Sequence, residues 1–217
     1  MSLERRKELV AWAAKYGSYI VEDDFDGDFR YEGSPQPALK ALDAGGNVLN
    51  IGPFSTSIGP GLRLGYVVLP RNLVAPARTI KALLDNGSSW LDQAILADFI
   101  EHGSFANHLK QIRQTYMIRR NSLIDALKSQ FGDVVLSGLS GGMHLTWKLP
   151  DDYPPAGFLT KELSKQRIGV YTFSGRDLNV CDLPNDFDRY MLLGYAAMSD
   201  SKIEQGVEEL TKIIRPR

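Results

Sequence analysis

Tyr19-Ile20-Val21-Glu22-Asp23-Asp24-Phe25-Asp26-Gly27-Asp28 is the stretch that decides how this chain folds. Three apolar residues are followed at once by three acids. An apolar run that ends in charge reads as a buried strand whose C-terminal edge carries carboxylates. Ligands of open α/β sheets collect at the carboxyl ends of strands, so an acid there can face a ligand crevice. Taken by themselves, the residues favour the plainer reading of a solvated strand end. A calcium loop fits poorly. Glu22, Asp24, Asp26 and Gly27 match its start, but Arg30 and Gly33 fall where a ligand and the bidentate glutamate are needed.

Upstream, Leu3, Leu9, Val10 and Ala13 have helical spacing that ends near Gly17. Downstream, Ser34-Pro35-Gln36-Pro37 reads as a loop. Val48-Leu49-Asn50-Ile51 reads as a strand leading into Gly52-Pro53-Phe54-Ser55-Thr56-Ser57. Residues 62–69 read as a third strand, stopped by Pro70, so the three strands suggest a sheet interior. Helical patterns occupy 74–84, 91–100 and 105–131. After Gly132 the pattern changes to strands over 134–136 and 144–147, a helix over 158–166, strands over 169–173 and 190–197, and a last helix over 201–214. The expectation is an α/β chain in two parts, 1–104 and 105–217, with the boundary in the long helix.

Composition narrows the partners. The 217 residues are 43% hydrophobic and 24% charged, with a net charge of -1. That is an ordinary globular balance with no bulk attraction to nucleic acid or an anionic membrane. The single cysteine, Cys181, excludes an internal disulfide and a multi-cysteine metal site, and fits the cytoplasm. Glu4, Arg5, Arg6 and Lys7 interrupt any secretory leader pattern, and no apolar run is long enough for a membrane span. Arg113, Arg119, Arg120 and Lys128 are interleaved with the apolar stripe of the long helix and read as a solvated face. His102, His108 and His144 have no nearby nucleophile. His102 fits a helix cap, as do Asp92 and Gln93.

Gly59-Pro60-Gly61-Leu62-Arg63-Leu64-Gly65 matches neither a dinucleotide fingerprint nor a Walker loop. Its odd residue is Arg63, placed inside an apolar strand. A buried guanidinium needs an anion, and a structural ion pair and an anion site stand level on spacing alone.

Taken in order, these segments resemble the aminotransferase-type domain of MocR-type regulators in the GntR superfamily. Ile20 through Tyr31 resembles the motif EDDYDxEFRY, and Phe54 through Tyr66 resembles FSKxxxPGLRLGY. Pro35 through Leu39, Leu42-Asp43, Gln93 through Ile100, Tyr116 with Arg119-Arg120, Gly142 through Leu145 and Leu193-Gly194-Tyr195 continue the match. The resemblance implies a fold-type I, pyridoxal-phosphate-dependent transferase-like architecture. Residues 1–104 would be the C-terminal part of the large domain, with its mixed sheet. Residues 105–217 would be the linking helix and a small α+β domain. In the family, a DNA-binding winged helix, a linker and the first half of the cofactor domain precede this stretch.

The resemblance also assigns roles. Asp23 is the acid that pairs with the pyridinium nitrogen of pyridoxal 5'-phosphate, since a protonated ring is the better electron sink. Arg63 is the phosphate-binding arginine. Phe25 stands where the family usually has a tyrosine, keeping the ring and losing the donor. Ser55 joins the cofactor-binding set. Thr56 occupies the position of the Schiff-base lysine, whose proton shuttling a hydroxyl does not replace. Pro53 replaces a usual serine or threonine near the phosphate and removes a backbone donor. Leu192 lies where aminotransferases carry the arginine for the substrate carboxylate.

By resemblance, then, the chain is the effector-sensing, dimerising portion of a transcription regulator. It has no catalytic residue and no metal, and it holds pyridoxal phosphate non-covalently or not at all. Its effector is a small amino compound or a cofactor-like anion, and DNA is reached only through an N-terminal domain. The alternative is a fragment of a pyridoxal-phosphate-dependent aminotransferase, and residue 56 discriminates between the two. A purely structural dimerisation module is a third reading. Retention of Asp23 and Arg63 argues against it, because unused charges in a pocket cost stability.

Overall fold

The computed structural model describes residues 1–34, 36–87, 89–173 and 187–215, so Pro35 of the proline loop and Cys181 lie outside the described residues. The chain divides into two compact units. One comprises 1–28 with 33–110, the other 29–32 with 111–217.

In the first unit, helix α1 (Leu3–Tyr16) begins where the Ser2 hydroxyl accepts the Arg5 N–H. It ends at Gly17, whose φ of 62° is a conformation L side chains resist. Strand β1 (Ile20–Asp23) runs parallel to β2 (Val48–Pro53), which pairs antiparallel with β3 (Gly65–Val68), in the order β1-β2-β3. Val48, Asn50 and Gly52 of β2 point to the buried face. There Val48 and Ile20 pack with Val10 and Leu9 of α1 and with Leu39 and Leu42 of a one-turn helix, α2 (Leu39–Leu42). Helices α3 (Arg71–Asp85) and α4 (Trp90–Glu101) and the start of α5 (Ser104–Phe131) complete the unit.

Two expectations fail here. β1 is not a buried strand: Val21 is 62% exposed, and all four residues of β3 are exposed. Both are outer strands of a three-stranded sheet, and α1 and α2 cover only one of its faces. The third strand is also shorter than 62–69, because a 3-10 turn (Pro60–Leu62) and Arg63 precede it.

The second unit combines the rest of α5 with β4 (Val135–Ser137), β5 (His144–Lys148), α6 (Ala156–Lys165), β6 (Tyr171–Thr172), β7 (Tyr190–Gly194) and α7 (Asp200–Ile214). Its sheet is antiparallel throughout, in the order β4-β5-β7-β6. Alternation sends Leu145 and Trp147 of β5, and Met191 and Leu193 of β7, into a core shared with Leu127, Leu163 and Ile203. The segment 29–32 belongs to this unit. Arg30 bridges to Gly141, Gly142 N–H donates to Phe29 O at 2.7 Å, and the Tyr31 and Tyr195 hydroxyls both donate to Gly142 O at 2.7 Å.

The solvated-face reading of the long helix holds only in part. Arg113 and Lys128 are exposed, but Arg120 is buried and Arg119 half-buried. Arg120 donates to Leu139 O and pairs with Glu32 at 2.8 Å, and Arg119 donates to Ala196 O. Their partners are distant in sequence, which a helical stripe does not reveal. Among the described residues, no helix is long and apolar enough to cross a membrane.

Candidate functional site

Because β1 and β2 are parallel, their carboxyl ends share one sheet edge, and the antiparallel β3 begins there. Asp23 is the last residue of β1, opposite Ile51. Phe25 comes two residues later and is 49% exposed. Pro53 ends β2 opposite Gly65, the first residue of β3. Ser55 and Thr56 lie in the turn after β2, and Arg63 immediately precedes β3. The register therefore gathers Asp23, Phe25, Ser55, Thr56 and Arg63 at a single edge. Leu192 lies in the other unit, on β7, paired with Thr146 and Tyr171 on the strand face opposite Met191 and Leu193.

The turn after β2 is tightly held. Phe54 N–H donates to Leu64 O at 3.0 Å, and Ile58 N–H to Phe54 O at 2.9 Å. The Thr56 hydroxyl donates to Pro53 O at 3.5 Å, and the buried Ser57 hydroxyl to Phe54 O at 3.4 Å. Phe54 packs on Tyr66 and Phe105, with ring centroids 5.6 and 6.0 Å away. Tyr66 in turn crosses Gly52, where an added Cβ would lie 2.5 Å from its ring, so a larger residue at the end of β2 would have to displace Tyr66.

His108 is a positioning residue that the sequence does not reveal. Its Nε2 lies 2.7 Å from Ser57 O. A carbonyl only accepts, so Nε2 carries the proton and donates. The partner is 51 residues away, and no local pattern signals the contact.

The electrostatics of the edge are uneven. Burial raises the pKa of Asp24, and repulsion from Glu22, Asp28 and Asp26 raises it further, against a hydrogen bond from Gly27 N–H. Burial also pushes Glu22 upward. Its oxygens, however, accept from Leu39 N–H at 2.7 Å, Lys40 N–H at 3.1 Å, the Asn50 amide at 3.1 Å and Arg6 at 3.2 Å. Those bonds win and hold Glu22 below its ordinary value. Glu22 is thus a structural acid that caps α2. Among the described residues, no group of three metal-ligating side chains is placed to hold an ion, so the calcium-loop reading has no support.

Arg63 departs most from its sequence reading. It is neither buried nor inside a strand. It is exposed, at φ 51°, and has no side-chain partner among the described residues. The left-handed region costs an L residue roughly 1–2 kcal/mol. Strain of this kind concentrates at ligand-binding positions. The sequence also carries no lysine between Lys40 and Lys81, so none lies on β2, the turn or β3.

A family model for aminotransferase class I and II matches residues 1–210. The chain belongs to that family. It is 33% identical over 213 residues to the uncharacterized HTH-type transcriptional regulator YhdI of Bacillus subtilis, covering 97% of this chain and 44% of YhdI. It is 28% identical over 216 residues to the probable rhizopine catabolism regulatory protein MocR of Rhizobium meliloti, covering 97% of this chain and 42% of MocR. Among solved structures, the kynurenine aminotransferase of Pyrococcus horikoshii, in complex with PMP, superposes with a TM-score of 0.82 at 27% identity. That match covers 97% of this chain and 51% of the enzyme. The chain thus spans about half the length of the proteins it matches. The expected α/β, fold-type I aminotransferase-like architecture is borne out, as is the likeness to MocR-type regulators.

Proposed function

We propose that this chain is the effector-sensing portion of a MocR-type transcription regulator whose aminotransferase-like site binds its ligand without covalent attachment. The observation that carries the reading is the composition of the sheet edge. An acid, an arginine and two hydroxyls gather there, and residues 41–80 contain no lysine.

This donor set fits pyridoxal 5'-phosphate as a non-covalent ligand. Asp23 would serve the ring nitrogen. Arg63, with the Ser55 hydroxyl, would hold the phosphate, a charge-assisted contact suited to a guanidinium without a side-chain partner among the described residues. Phe25 would offer an apolar ring and no hydrogen bond. Thr56 stands where the family's cofactor-linked lysine would be. When bound, the cofactor supplies an electron sink. Without an amine from these residues to join it, the site suits recognition of that anion or of a small amino compound. DNA contact belongs to a helix-turn-helix domain outside the matched stretch, in the cytoplasm. Two copies pair through the apolar surface of α3 and α4, where Leu83 and Leu84 are 81% and 82% exposed.

The test is thermal unfolding with pyridoxal phosphate, followed by borohydride treatment and mass measurement. The melting temperature should rise, since a ligand selective for the native state stabilises it. The wild-type mass should stay unchanged after borohydride, while Thr56→Lys should gain a borohydride-fixed adduct. A fixed adduct in the wild type would favour the aminotransferase-fragment alternative. An unchanged melting temperature would overturn ligand binding at this edge.

A further inference from the structure

A cavity of about 400 Å³ opens into the second unit, between α5, α6, β7 and α7. Its lining residues among the described residues fall within 123–210, and none of them belongs to the sheet edge of Asp23 and Arg63. Its volume is in the range of small-molecule sites. The floor is aliphatic and buried, formed by Leu127, Leu163, Leu193, Ile203, Val207 and Leu210. The exposed rim carries Gln166, Arg167, Lys202 and Gln205.

We infer that this cavity is a binding site for a small amphipathic carboxylate, an acyl or aryl acid whose apolar body lies on the leucine floor and whose head meets Arg167 and Lys202. Charge is the first argument. Neither cation has a side-chain partner among the described residues. Glu209, the one carboxylate among the described lining residues, is held by Lys212 at 2.6 Å.

The backbone gives two further arguments. Arg167 sits at φ 61° just beyond α6, where Arg167 N–H donates to Ser164 O and Ile168 N–H to Leu163 O, both at 3.0 Å. Glycine is the usual residue at that position, yet here it presents a guanidinium to the rim. Gly206, in mid-helix on α7, also lines the cavity, and an added Cβ there would meet nothing within 4 Å. Alanine would favour the helix more and would begin to fill the space. Protein interiors are close-packed, so an opening kept by a glycine and rimmed by cations that have no side-chain partner among the described residues is the form of a binding site rather than of a core.

Octanoate is the probe, titrated calorimetrically into the intact chain. It should bind at one site per chain, and octan-1-ol should bind about tenfold or more weakly, the worth of one charge-assisted hydrogen bond. Arg167→Gly, which suits the left-handed backbone, should keep the melting temperature and weaken octanoate by a similar factor. Gly206→Phe should abolish binding and hold or raise the melting temperature, and Gly206→Leu serves the same purpose if the larger ring does not fold. No octanoate binding to the wild type would overturn the proposal. So would equal binding by Gly206→Phe, or octan-1-ol binding as tightly as octanoate.

Discussion

Arg63 is strained, exposed and without a partner among the described residues, and those properties together make a prediction about its replacement. Arg63→Gly removes a left-handed L residue and breaks no side-chain hydrogen bond or ion pair among the described residues. Stability should stay level or rise by up to about 1 kcal/mol, less than the full relief because glycine also gains entropy in the unfolded chain. The stabilisation by pyridoxal phosphate should largely vanish. Paired melts with and without the ligand check both halves. Glu22, on the same strand as Asp23, should behave in the opposite way. Its folded pKa is lowered, so its contribution is complete above the ordinary value of 4.5 and is lost as pH falls through the folded value. Leu39 N–H and Lys40 N–H donate to different oxygens of Glu22, so Glu22→Gln keeps one acceptor and sets its new NH2 donor against one of those two N–H groups. It should cost about 1–3 kcal/mol at neutral pH. In urea unfolding, the gap between wild type and variant should narrow steadily in acid.

Elements differ in how far the sequence exposes them, and the difference tracks the range of the forces that make them. α1 is legible because its apolar stripe and its stop at Gly17 are both local. The acids at the end of β1 and the turn carrying Thr56 are legible for the same reason. α2 is not, because its N-terminal N–H groups are satisfied by Glu22, 17 and 18 residues earlier. Arg63 looks like a strand residue until the 3-10 turn places it before β3. His108 is silent because the carbonyl it holds, that of Ser57, is 51 residues away. α3 reads correctly as an amphipathic helix, yet none of its residues is buried within the chain. Its Ile80, Leu83 and Leu84, with Trp90 and Leu91 of α4, are large apolar side chains left exposed, the composition of an interaction surface. If two copies meet there, Leu84→Glu should shift sedimentation toward the monomer. Its effect on monomer stability should stay within about 0.5 kcal/mol, as expected of an exposed site.

At the scale of the whole molecule, a short segment of chain leaves the first unit and completes the second. Residues 29–32 come directly after the acidic stretch, yet they belong with 111–217. Phe29 is fully buried and packs on Tyr116 at 5.1 Å between ring centroids. Gly141 accepts the segment because a Cβ there would lie 2.7 Å from Phe29 O. The second unit therefore lacks part of its core if it is built from 111–217 alone. Phe29→Ala should cost that unit about 3–5 kcal/mol, the range for emptying a buried aromatic site. Gly141→Ala should also destabilise it, by displacing the segment rather than by emptying the core. Contacts between β1 and β2 do not involve either residue. Amide exchange should thus accelerate across β5 and β7 while protection in β1 and β2 persists, as expected when units open separately. Equal loss of protection in both sheets would mean that the two units unfold as one rather than separately.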